Sequence, residues 1–267
     1  MSSRGIRQRV LALLAAVVLF AGGGMMAWHG LHAPPDDTPA PSADVSVSPD
    51  EAIQLASSGE TAEPEIPEGD FGPNVRTTPV EEPPPVTEST EEGVDQGPGA
   101  GGGGDERAVR AGFSNRIQIP SIYVDSRVVH RGVDAAGRMD LTSKLSDVIR
   151  LSTTAKLSDD EGTTLLAGHV TQNRVHGALY FLGKVTAGSE IRTWDADGNR
   201  TTWVVTSVKM YRKQALPDEI YEPTGERQLA LVTCGGKLMR LPNGKWTHES
   251  NIVVSAVPMS QAAQAAG

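Results

Sequence analysis

The 267-residue chain has a single cysteine, Cys234. A disulfide within the chain is therefore impossible. The side chain is a reactive thiol, a partner for a sulfur on another molecule, or a small buried apolar residue. Its neighbourhood favours the first. Cys234 ends the apolar run Leu231-Val-Thr-Cys234 and is followed by Gly235 and Gly236. His169 ends a second such run, Leu165-Leu-Ala-Gly-His169. A thiol attacks a carbonyl well only as the thiolate. An imidazole within reach can take its proton and return it to a leaving amine. Cys234 and His169 are thus the candidate nucleophile and its acid/base partner. They cooperate only if a fold sets the ends of two distant strands side by side.

Other residues carry weaker signals. His130, His176 and His248 read as ordinary surface histidines, and Thr233 before the cysteine suits a strand as well as it would suit a groove. Asp159, Asp160 and Glu161 form an acidic run without the ligand spacing of a calcium loop, so they read as solvated acids. Nothing in the pattern requires a metal or a cofactor. No clustered basic stripe suggests nucleic-acid binding.

The elements that must hold the two reactive residues lie in 107–260. Short β-branched and apolar runs separated by turn signals predict strands at Arg116–Ile119, Arg127–Val133, Thr163–Ala167, Glu190–Trp194, Thr201–Tyr211, Gln228–Thr233 and Asn251–Val257. His176–Leu182 is expected to form one short helix. Seven or eight such strands with few helical patterns indicate an all-β barrel or sandwich.

The rest of the chain is of another kind. The formal net charge of -9 is uneven: residues 1–9 carry Arg4, Arg7 and Arg9 without an acid, whereas 31–106 is acidic with Arg76 as its one Lys or Arg. Residues 1–9 are expected to be a cytoplasmic basic N-terminus. The uncharged run Val10–Trp28 is long enough to cross a bilayer, so 10–30 reads as a retained signal anchor with the bulk of the chain outside. A cleaved signal peptide is the alternative. Residues 31–106, rich in Pro, acids, Ser, Thr and Gly, read as a disordered linker that holds the domain away from the membrane. Residues 261–267 read as a flexible tail.

Four segments together resemble the sortase family of Gram-positive bacteria, most nearly its actinobacterial class E and F branches. They are Arg116-Ile-Gln-Ile-Pro-Ser-Ile122, the histidine segment, the cysteine segment and Asn251-Ile-Val-Val254. The resemblance implies an eight-stranded β-barrel with one or two short helices. It implies a cell-surface cysteine transpeptidase that cleaves an LPxTG-like sorting signal on secreted proteins through a thioacyl-enzyme. An amine of a peptidoglycan precursor or a pilin then resolves that intermediate. It also implies a catalytic arginine after the cysteine. The stretch Thr247–Asn251 has none, so Arg240 is nominated by role, with Lys237 and Lys245 as alternatives lacking the planar fork of guanidinium.

Other readings are weaker. Papain-like wall peptidases place Cys before His, opposite to the order here, and the Ser-His-Gly-Cys-type motif of L,D-transpeptidases is absent. The remaining competitor is a degenerate sortase-like domain that binds wall peptides or a partner protein without turnover.

Overall fold

The computed structural model describes residues 44–59, 113–135, 139–141, 144–172 and 175–260. The expected N-terminus 1–9, the anchor 10–30, most of the linker and the tail 261–267 lie outside the described residues. No helix among the described residues is long and apolar enough to cross a membrane.

Eight strands close on themselves. They are β2 (Arg116–Ile119), β3 (Val124–Arg131), β4 (Val148–Leu151), β5 (Thr163–Ala167), β8 (Glu190–Trp194), β9 (Arg200–Arg212), β10 (Gln228–Arg240) and β11 (Trp246–Pro258). Their order is β9-β11-β10-β5-β4-β3-β2-β8, and pairing of β8 with β9 completes the ring. Closure satisfies backbone groups that an open sheet would leave at its edges. Two neighbour pairs are parallel, β3 with β4 and β5 with β10. A separate two-stranded ladder joins β6 (Thr171–Gln172) to β7 (Val175–His176).

Strand alternation sorts the apolar residues into two clusters. Leu229 and Leu231 of β10 join Ile117, Ile191, Trp203, Ile252 and Val254 in the larger one. Ala230 and Val232 face the other way, onto Leu165, Ala167 and Val253, under Leu216, Ile220 and Tyr221 from the β9–β10 connection. Burial on both faces explains why Gln228–Thr233 is a nearly continuous apolar run instead of an alternating one. The indole of Trp203 meets its polar requirement by donating from Nε1 to Thr193 Oγ1 at 2.8 Å.

Three expectations need correction. Residues 44–59, read as part of a disordered linker, form strand β1 (Val45–Ser46) and helix α1 (Pro49–Ser58). The Pro, Ser and acidic residues that suggested disorder are helix-start signals here. Ser48 Oγ accepts from the Glu51 amide at 3.2 Å, Pro49 opens the first turn, Asp50 and Glu51 face the positive helix end, and Gly59 closes it at φ 67°. Ala52 is fully buried beside Val204, with Val47, Ile53, Ala56 and Val257 around them. β1 pairs with β9 at Val208 and Ser207, beyond the part of β9 that β8 covers.

The expected helix at His176–Leu182 is absent. The segment instead completes β7, turns, and enters a 3-10 turn at Leu182–Lys184. The Gly177 and Leu179 amides bond to Val170 and His169 carbonyls at 2.7 and 3.3 Å, so they are not available to a helix. Finally, β4 (Val148-Ile-Arg-Leu151) was not anticipated. Arg150 interrupts its apolar character, yet it is buried, its Nη1 donating to the carbonyls of Leu151, Thr154 and Ala155 at 3.0–3.2 Å.

Candidate active site

The parallel ladder between β5 and β10 builds the site. Its register runs from Thr163 opposite Gln228 to Ala167 opposite Val232, a constant offset of 65 residues. His169 and Cys234 are separated by the same offset. The ladder continues past the last paired residues, because the Gly168 amide donates to Val232 O at 3.1 Å. The histidine and the cysteine therefore leave two adjacent strands at the same level, where neighbouring strands stand about 4.8 Å apart.

Two further contacts fix this junction. Thr233, 1% exposed, donates from Oγ1 to Gly168 O at 2.9 Å, which ties the residue before the cysteine to the residue before the histidine. Behind His169 lies Gly177, where a Cβ would collide with the His169 carbonyl. Only glycine permits that close approach. His169 is 6% exposed, whereas Cys234 is half-buried and free of any disulfide. A partly exposed thiol next to a shielded imidazole can form an acyl thioester while the base keeps its orientation.

Across the other side of β10, Cys234 stands opposite Asn251 of β11, and Asn251 in turn stands opposite Tyr211 of β9. Tyr211 is half-buried, and its hydroxyl is pushed above the ordinary tyrosine range by burial and then by the charges of Asp44 and Glu219. Asn251 is wholly buried.

Arg240 is not brought to this place. β10 runs on through Gly235 and Gly236 to Arg240, which is exposed and pairs with Trp246 at the tip of the β10–β11 hairpin. It lies six positions beyond Cys234, at most about 20 Å along an extended chain. Its Nε points back into the tip, 3.4 Å from Gly244 O. Lys245 shares the tip, and the exposed Lys237 donates its backbone amide to Glu249 Oε1 at 3.4 Å.

The other histidines have local roles. His248 Nδ1 lies 3.0 Å from Gly236 O and can donate to it, bracing the bulge that follows Cys234. His176 stacks on Tyr180 with ring centroids 3.6 Å apart. His130 ends up beside Arg150 in the β3–β4 ladder, and burial followed by that charge lowers its pKa. Asp159 caps its own loop by accepting from the Lys156 amide at 2.8 Å, and no cluster of three or more metal-ligating side chains occurs among the described residues.

The Sortase domain family matches residues 117–259, more than half of the chain, and the chain belongs to that family. Solved structures with a similar course include Streptococcus agalactiae sortase C1, at 19% identity and a TM-score of 0.42, covering 54% of this chain and 65% of that one. Sortase A from Corynebacterium diphtheriae is similar at 16% identity and a TM-score of 0.41, covering 54% and 59%. Sortase C-1 from Actinomyces oris is similar at 15% identity and a TM-score of 0.41, covering 78% and 98%. The chain thus spans about two thirds of the length of the streptococcal enzyme. No curated protein matches.

Proposed function

We propose that this protein is a cysteine transpeptidase of the sortase type. Cys234 attacks the carbonyl of a sorting-signal peptide bond. His169 takes the thiol proton and delivers it to the leaving amine, and a second amine then resolves the thioester. The observation that carries this reading is the shared 65-residue offset, which sets the only cysteine beside His169 at the end of a parallel ladder. An LPxTG-like signal on secreted proteins and an amine of a peptidoglycan precursor or pilin are the substrates in this reading. The class E or F branch belongs to it too, as does a cell-membrane location with a single span at 10–30 and the catalytic domain outside.

Intact-mass measurement after incubation with LPxTG-type peptides tests the reading. A mass gain equal to the acyl fragment, lost on hydroxylamine treatment and absent in Cys234→Ala, is the expected result. Folded protein that acquires no adduct from a panel of sorting peptides would favour the second reading, a sortase-like domain that binds wall peptides or a partner without turnover. The position of Arg240, far along the hairpin from Cys234, is the observation on that side.

A further inference from the structure

Asn251 is the least expected polar residue of the site. It is 0% exposed, and among the described residues neither its Nδ2 nor its Oδ1 has a hydrogen-bond partner. A buried amide without partners is destabilising, because each group has given up its bonds to water and gained none in return. An apolar residue in the same volume would avoid that penalty. Such an exception in a native fold calls for a use.

Its place in the sheet indicates the use. Asn251 is the direct cross-strand neighbour of Cys234. Side chains at directly opposed positions lie on the same face with Cβ atoms about 5 Å apart. A neutral thiol is a poor hydrogen-bond partner, whereas a thiolate is a charged acceptor. The amide stays unpaired beside the first and gains a partner when the second appears. Full burial favours the sulfur as that partner over an incoming substrate oxygen, because Cys234 is the direct cross-strand neighbour and solvent does not reach the amide.

We infer that Asn251 is the positioning residue that stabilises the Cys234 thiolate. When the S–H bond breaks and its proton moves to the His169 ring, Asn251 Nδ2 donates to the negative sulfur. This rests on the reading of Cys234 as nucleophile. It also gives the site a neutral donor on the flank opposite His169, in a molecule whose Arg240 lies far along the hairpin.

The ionisable groups near this row are His169 from the end of β5, Lys237 of β10, His248 and Glu249 of β11, Tyr211 and Arg212 of β9, Lys213 just after β9, and Asp44 and Glu219 beside Tyr211. None changes when Asn251 is replaced, so a difference in titration between variants reports the amide.

Because Cys234 is the only cysteine, iodoacetamide labelling of the full-length chain in detergent reads it alone. Alkylation rates across pH should show a midpoint about one unit higher in both Asn251→Leu and Asn251→Ala than in wild type, near a tenfold loss of rate on the neutral side. The two variants differ in volume and share only the missing amide. Asn251→Leu should melt no lower than wild type, since it removes an unpaired polar group, which separates the effect from lost packing. If one variant fails to fold, the other carries the comparison. A wild-type midpoint in either folded variant overturns the role of Asn251 and leaves the nucleophile intact. A wild-type Cys234 that alkylates at no pH overturns the nucleophile itself and the inference with it.

Discussion

The junction between the two reactive residues depends on single side chains whose loss can be read separately. Thr233→Val keeps the shape and β-propensity of the strand but leaves Gly168 O without the hydroxyl donor. It is expected to cost about 1–2 kcal/mol in denaturant unfolding and to slow acylation, since the register of His169 against Cys234 loosens. Gly177→Ala forces a methyl group into the His169 carbonyl. Acylation should fall by more than tenfold while Cys234 still alkylates, because the thiol remains and its base has moved. Arg240→Ala should leave acylation within about twofold of wild type, as the guanidinium turns into the hairpin tip toward Gly244. A hundredfold loss in a peptide-acylation assay would show that the tip folds back over the site in the substrate complex. Tyr221 gives a pH signature. Its hydroxyl is buried without a partner, and burial first, then Asp218, push its pKa up to about 12. The unfolded chain releases that proton nearer pH 10, so from pH 10 to 12 the folded form holds more protons and stability falls as pH rises. Tyr221→Phe should flatten that decline in thermal melts and should not destabilise the protein at neutral pH.

At the scale of elements, β5 and β10 were legible because each is an apolar run that stops at a reactive residue. The extent of β10 was not. Gly235 and Gly236 look like a strand end, but Gly236 takes φ +74° and a register shift lies between Gly235 and Leu238, so the ladder resumes through Arg240. A bulge of this kind re-aims the strand without ending it. That is why Arg240, which sequence spacing alone allowed near the cysteine, is far from it. β4 was hidden by Arg150, whose charge looks out of place in a strand until the three carbonyls around its guanidinium are seen. Helix α1 was hidden by averaging: over 31–106 the composition is that of a linker, and only the order Ser48-Pro49-Asp50-Glu51 before Ala52, with Gly59 after, marks a capped helix. Deleting 44–59 should lower the melting temperature by several degrees, because it exposes Val204 and Val257 and uncovers the β9 edge at Ser207 and Val208. The alkylation rate of Cys234 should change little, since α1 packs near Val204 and Val257, at the end of the sheet away from the cysteine.

At the scale of the whole molecule, the sortase fold brings the two reactive positions together through one parallel pairing inside an otherwise largely antiparallel ring. The pairing spans more than sixty residues, so the site exists only when the barrel is closed. Denaturation should therefore abolish peptide acylation and cooperative folding together, with no partly active intermediate in a urea titration followed by both. The docking of β1 and α1 has a mechanical consequence. β1 and α1 precede every strand of the ring in sequence, yet they pack on β9 and on Val204 and Val257. Among the described residues the chain first meets the barrel at Asp44, whose carboxylate accepts from the Met210 amide at 3.0 Å. A pull on the chain ahead of Asp44 would therefore be borne by the β1–β9 pairing and the α1 contacts before it reached β2, the first strand of the closed ring.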